Sequence, residues 1–260
     1  MAAARIAPDG SPYPDRRLPS FERDVRAMFA HIAARYEWFD HVASLGNDFL
    51  WRPRALWDLD RFRARGPVGA ALDLGCGTGE LARLVARHYP TARVVAADFT
   101  PAMLRKARAE GGPPPEHAQL AYARANAMHL PFGDARFDLV TNAFLARNLS
   151  DLAVGLREMR RVLRPAGTLL TLEITEPISP GFARIFHAYF DRVVPTLGAA
   201  VGSAGPYRYL PESLRTLPPR AAFRRALANA GFARTAAIPQ SLGIVTTFLA
   251  EAPPAETPSP

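Results

Sequence analysis

Early in the chain, apolar residues recur every three or four positions: Val25, Met28, Phe29 and Ile32, followed by Trp38, Phe39, Val42, Leu45, Leu50 and Trp51. Such spacing puts them on one face of a helix, so residues 21–66 are expected to form a helical cap that ends at Gly66-Pro67. From Val68 the pattern turns into short apolar runs, which predict strands at Ala70–Leu74, Arg93–Ala97, Leu120–Arg124, Phe137–Thr141 and Thr168–Ile174. Between them, Gly79–His88, Pro101–Glu110 and Ser150–Leu163 carry helical spacing, with Thr100-Pro101 and Ser150 as start signals. Strands alternating with helices imply a parallel sheet covered by helices on both faces, an α/β architecture.

After Glu173 the rhythm changes. Pro177–Val201 and Pro219–Ala230 read as amphipathic helices, a helical insertion at about residues 177–230. Phe232–Ile238 and Gly243–Leu249 follow as strands of an antiparallel hairpin at the sheet edge. Residues 67–250 thus make one domain, flanked by a flexible segment at 1–20 and a proline-rich, disordered tail at 251–260.

Composition narrows the function classes. With 48% hydrophobic and 22% charged residues the chain falls in the globular range. Phe182–Val201, the most apolar long stretch, is interrupted by Arg184, His187, Asp191, Arg192 and Pro195, so no membrane span is expected. Met1–Ser20 contains four prolines and no apolar run of signal-peptide length, so a cytoplasmic location is expected. Cys76 is the single cysteine, which excludes an intrachain disulfide, and nothing near it supplies a metal set. The net charge of +8 comes from arginines scattered among acids, with Lys106 the only lysine; no basic tract with interleaved aromatics marks a nucleic-acid partner.

The chemistry concentrates at Leu72-Asp73-Leu74-Gly75-Cys76-Gly77-Thr78-Gly79-Glu80, where the first strand meets its helix. Glycines at 75, 77 and 79 let the backbone turn tightly and lie against a ligand at the carboxyl end of the sheet. The loop lacks the G-x-G-x-x-G spacing of dinucleotide sites and the Gly-Lys-Ser/Thr of a P-loop. It resembles instead the S-adenosylmethionine loop of class I methyltransferases, which implies a Rossmann-like sheet. Asp98, ending the second apolar strand, suits the two ribose hydroxyls, and Asn126-Ala127 suits the adenine, with Phe99 or Met128 against its ring.

Beyond the loop, the chain resembles the ubiquinone/menaquinone biosynthesis C-methyltransferase family, of UbiE type. The resemblance runs from about Val25 to Ala250 and rests on Met28-Phe29-Ala30, Arg35-Tyr36, Ser44-Leu45-Gly46 and Leu50-Trp51-Arg52 in the cap. Leu130-Pro131-Phe132, Ala146-Arg147-Asn148, Arg161-Val162-Leu163-Arg164-Pro165 and the run Pro206 to Ser213 add to it. It implies methyl transfer to a ring carbon of a prenylated quinol, of demethylmenaquinol or demethoxyubiquinol type, and cofactor contacts at Thr78, Asp98, Asn126 and Ala127 beside Asp73, Gly75, Gly77, Gly79 and Phe99. Some family members carry serine where Ala143 stands, and a histidine where Phe248 stands.

Arg147 is nominated by the resemblance as the catalytic group and Tyr36 as the residue orienting the ring oxygen. A guanidinium stays protonated and has no acceptor, so Arg147 is expected to stabilise a developing phenolate and orient a water rather than to act as a base. Tyr207 and Tyr209 are candidates for the acceptor entrance, and Phe182–Leu197 for a lipid-tail groove or ordinary core packing. Peripheral contact with the inner face of a membrane and a homodimer fit the same picture. Two other readings share the sequence: an O- or N-methyltransferase of another hydrophobic small molecule, and a non-catalytic cofactor-binding accessory protein.

Overall fold

A computed structural model describes residues 19–33, 46–63, 66–110, 119–193, 196 and 204–255, without the side chains of residues 48, 110, 204–208 and 210. The cap supplies α1 (Phe21–Ile32) and α2 (Asp48–Phe62). The core then runs β1 (Ala70–Leu74), α3 (Glu80–His88), β2 (Arg93–Asp98), α4 (Pro101–Glu110), β3 (Gln119–Arg124), β4 (Phe137–Ala143), α5 (Leu152–Val162) and β5 (Leu163–Ile174). It closes with α6 (Pro180–Ala188), α7 (Ala204–Thr216), α8 (Arg220–Asn229), β6 (Arg234–Gln240) and β7 (Val245–Glu251).

The seven strands lie in the order β3-β2-β1-β4-β5-β7-β6. β1 to β5 pair in parallel, whereas β7 runs antiparallel between β5 and β6. The chain winds outward from β1 to β3 and then returns to place β4 on the other side of β1. That reversal leaves a crevice at the carboxyl ends of β1 and β4, where a ligand meets the fewest crossing connections.

Alternation along each strand divides the core in two. Leu72, Leu74 and Val140 face one layer with Leu156, Met159 and Leu163, continued by Phe223, Leu227 and Phe248. Ala71 and Leu139 face the other, with Trp51, Leu56 and Leu59 of α2 and Leu81 and Val85 of α3. β1, with apolar residues toward both layers, is the strand type expected at the centre of a doubly covered sheet. α1 packs outside this frame: Phe21, Val25 and Met28 meet Tyr209, while Ile32 meets Met103 of α4.

Several boundaries differ from the sequence expectation. α5 is capped by Asp151, whose Oδ1 accepts from the Val154 amide at 3.0 Å, and the Ser150 hydroxyl is used elsewhere. Of the helix expected over 177–201, Pro180–Ala188 is α-helical and Tyr189–Val193 is a π-helical turn, while 194–195 and 197–201 lie outside the described residues. The disordered tail cannot begin at 251: Glu251 still pairs with Thr168 and Arg234, Ala252 is buried, and the Pro253 carbonyl accepts from the Ala166 amide at 3.0 Å. The run Pro206 to Ser213, which carries Tyr207 and Tyr209, lies within α7.

Candidate active site

At the end of β1 the chain turns through Gly75, Gly77 and Gly79, whose φ angles are +66°, +54° and +85°. Only glycine takes this conformation without strain. A Cβ on Gly75 would also stand 2.8 Å from Leu145. The turn is sewn to β2: the Cys76 amide donates to the Ala97 carbonyl at 3.0 Å and the Gly77 amide to Asp98 Oδ2 at 3.0 Å. Asp98 Oδ1 accepts from the Thr100 amide at 2.7 Å, so this acid organises both the loop and the start of α4. Burial pushes its carboxyl above the usual range, opposed by those two amides.

A cleft opens beside the loop, lined by Gly75, Gly77, Asp98, Phe99, Asn126 and Ala127, with α1 across its mouth. Met128, Ala143 and Phe144 add to its wall. Asn126 Oδ1 accepts from the Met128 amide at 3.0 Å, which fixes the side chain, and its Nδ2 donates to Glu22 Oε2 at 3.1 Å. Glu22 Oε1 in turn accepts from the Ser150 hydroxyl at 2.6 Å, so one carboxylate of α1 ties together both rims.

On the other side of Gly75 and Phe144 lies a smaller pocket lined by Asp73, Thr78, Arg52 and Glu80. Asp73 is 1% exposed; its Oδ1 accepts from the Thr141 hydroxyl at 2.7 Å, and its Oδ2 has no hydrogen-bond partner among the described residues. Burial raises its pKa to about 7, with the Thr141 hydrogen bond and the Arg52 charge pulling the other way. An orphaned carboxylate oxygen in a lined pocket is expensive unless something cationic meets it. Arg52 bonds Glu80 at 2.8 Å at the same pocket. A ligand with an ammonium and a carboxylate at one end and a ribose and adenine at the other matches this donor and acceptor set. S-adenosylmethionine is such a molecule, and the residues fit it. Cys76 is buried, and its thiol is pushed well up by burial and by Asp98 and Asp73, which disfavours the thiolate.

Arg147 sits on a 3₁₀ turn, Ala146–Asn148, just past β4. It is 8% exposed, and its guanidinium donates to Glu173 Oε2 at 2.8 Å while lying 5.3 Å from the Phe144 ring centre. Glu173 is fully buried; its Oε1 also accepts from the Ala146 amide at 2.6 Å. Burial raises the Glu173 pKa against the pull of Arg147 and of the Ala146 and Arg147 amides. Asn148 accepts from the Tyr209 hydroxyl at 2.9 Å.

The structure therefore brings Gly75, Gly77, Asp98, Phe99, Asn126 and Ala127 to one cleft, and Asp73 and Thr78 to the adjoining pocket, with Gly79 capping α3 just behind. Tyr36 and the side chain of Tyr207 lie outside the described residues. Tyr209 is buried among Phe21, Val25 and Met28, and its hydroxyl braces the turn carrying Arg147. Phe248, at the position of a family histidine, stacks on Phe223 at 4.3 Å in the core. Sequence reasoning gave no role to Glu22, Arg52 or Glu173, although Arg52 stands in the Leu50-Trp51-Arg52 match to the family and Glu173 is an acid inside the apolar run Leu169–Ile174.

Comparison with known proteins agrees with this geometry. A family model described as the ubiE/COQ5 methyltransferase family matches residues 18–251. A demethylmenaquinone methyltransferase of Thermus thermophilus is 42% identical over 210 residues, covering 79% of this chain and 91% of the relative. A ubiquinone/menaquinone biosynthesis C-methyltransferase of Geobacter sulfurreducens is 36% identical, covering 90% and 91%. Among solved structures, a methyltransferase of Aquifex aeolicus aligns with a TM-score of 0.53 at 16% identity, covering 76% of this chain and 88% of its own. The cyclase SpnF reaches 0.62, also at 16% identity, covering 98% and 100%. Similarity at that level shows a shared fold, and a cyclase among the neighbours illustrates that activity resides in the site.

Proposed function

Because the chain belongs to the ubiE/COQ5 methyltransferase family and is a methyltransferase, we propose that it moves the methyl group of S-adenosylmethionine to a ring carbon of a prenylated demethylquinol. The observation that carries this reading is the pair of buried acids, Asp73 and Asp98, flanking one glycine turn at the switch point of the sheet. When bound, the cofactor supplies an electrophilic methyl group on a sulfonium.

In this reading Asp73 holds the ammonium end and Asp98 the ribose, while Asn126 and the apolar walls of Phe99, Ala127 and Met128 take the adenine. Arg52, beside Asp73, is the group available to the carboxylate end. Phe144, part of both pockets, is positioned to shield the reacting end from water. Arg147 stabilises the oxygen of the ring as its proton leaves, which raises electron density at the neighbouring carbon. Glu173 keeps the guanidinium in place and balances its charge. Tyr36 keeps the role that the family resemblance gives it, orienting the ring oxygen. Alignment of carbon and methyl is worth roughly 7–11 kcal/mol, more than the roughly 10²–10⁴-fold that proton transfer adds, so the cleft acts mainly as a jig. A tailed quinol resides in lipid, so contact with a membrane is peripheral. No helix among the described residues is long and apolar enough to cross one.

The test is incubation of the purified chain with isotope-labelled methyl donor and a demethylated quinol, with the new methyl located by mass spectrometry. Label on a ring carbon is expected. Label on oxygen or nitrogen, or no turnover with a quinol, overturns the substrate assignment.

A further inference from the structure

α1 turns one face to the cleft. Glu22, Val25 and Phe29, at i, i+3 and i+7, line it, while Phe21 and Met28 join Val25 in packing the helix onto Tyr209. Val25 and Phe29 suit the flat apolar faces of a base. Glu22 is half-buried beside them, and a carboxylate in such a wall costs free energy unless donors meet it.

Two neutral donors do so: Asn126 Nδ2 at 3.1 Å and the Ser150 hydroxyl at 2.6 Å. An ionised carboxylate offers about four lone-pair sites, so these two leave roughly half of its accepting capacity unused. Among the described residues no cation claims the rest. The adjoining Arg23 turns instead to Asp24, at 3.4 Å.

Asn126 is oriented by its neighbours. Its Oδ1 faces the Met128 amide, which can only donate, so the atom that meets Glu22 is Nδ2. That nitrogen carries two hydrogens, and one remains to be given. Side by side in the cleft wall, Glu22 and Asn126 therefore present an acceptor next to a donor. An adenine edge is the complement, since its exocyclic amine donates and the neighbouring ring nitrogen accepts.

We propose that Glu22 accepts a hydrogen bond from the exocyclic amine of the cofactor's adenine, which rests on the proposed function's placement of that base beside Asn126. α1 is then a specificity element for the methyl donor, and the same carboxylate that spans the two rims reads the base between them. A purine with a carbonyl oxygen in place of the amine would set one acceptor against another and forfeit a charged hydrogen bond.

The experiment is calorimetric titration of the full-length protein with S-adenosylhomocysteine and with S-inosylhomocysteine, whose purine carries oxygen where adenine carries the amine. The wild type is expected to hold the adenine compound at least about tenfold more tightly. In Glu22→Gln the amide can turn either its donor or its acceptor toward the base, and the ratio of the two dissociation constants falls to within about threefold. Glu22→Ala, with no group to offer, collapses the ratio in the same way, and thermal melting identifies which variant is folded. A carboxylate that served only to fasten α1 would, once removed, weaken both compounds alike and leave their ratio unchanged. The proposal is overturned if the wild type binds the two compounds equally, or if the tenfold ratio survives in either folded variant. Equal binding leaves the cofactor reading intact, whereas a wild type that binds neither compound overturns that reading together with this one.

Discussion

Asp73 and Asp98 are both buried acids, but they are solvated differently. Asp98 spends its oxygens on the Gly77 and Thr100 amides, whereas Asp73 Oδ2 has no hydrogen-bond partner among the described residues. An acid whose pKa is raised on folding takes up protons as the chain folds, so it favours the folded state at low pH and less so as pH rises. The cofactor-free protein is therefore expected to lose stability between pH 3.8 and about 7, with Asp73 contributing and Asp98 and Glu173 acting in the same direction. Urea titrations across that range check this, and Asp73→Asn flattens the slope. Binding of a cationic amine at Asp73 requires the ionised form, so affinity for S-adenosylhomocysteine tightens as pH rises toward 7, with proton release visible in buffer-dependent heats. Asp98→Ala removes charged hydrogen bonds of about 1.5–3 kcal/mol each and weakens cofactor binding in calorimetry; affinity equal to wild type would contradict its role. Asp73, Asp98 and Asn126 stood out in the sequence because Asp73 lies one residue before the end of β1, Asp98 ends β2 and Asn126 follows β3, where parallel sheets place ligand contacts.

Among the elements, the glycine turn and the 3₁₀ turn after β4 set the two halves of the site. Gly75→Ala is expected to cost about 1–2 kcal/mol through its positive φ alone and to displace Leu145 as well, so thermal stability and cofactor affinity fall together. In the second element, Arg147→Ala slows methyl transfer while leaving cofactor affinity near wild type, a difference read as kcat against Kd. It also leaves Glu173 buried and uncompensated, lowering stability by about 3–5 kcal/mol. Replacing both, Arg147→Leu with Glu173→Leu, restores stability but not turnover; recovered turnover would show that the pair serves packing alone. The sequence motif named Arg147 but not its partner, because Glu173 belongs to the neighbouring strand and meets it only through the register of β4 and β5. The packing of Tyr209 was hidden for a related reason. Its helix carries it into the contact with Phe21, Val25 and Met28, which no local pattern around it encodes.

At the scale of the molecule, strand order decides where chemistry happens. The reversal between β1 and β4 opens the crevice, and the antiparallel β7 seals the sheet beyond β5. Phe248 of β7 is 1% exposed against Phe223, so Phe248→Ala is expected to lower unfolding free energy by about 3–5 kcal/mol while cofactor affinity of the folded protein is unchanged. A large change in affinity would assign this position to the site rather than the core. The sequence by itself determined the succession of strands and helices, the glycine turn and the acids after it, because hydrophobic period, φ preference and strand ends are local properties. Only the tertiary structure decided that Glu22 clasps Asn126 and Ser150, that Glu173 holds Arg147, and that Trp51 meets Ser241. Those pairings join residues far apart in the chain, and they exist only once the register of the sheet and the packing of the cap have been fixed.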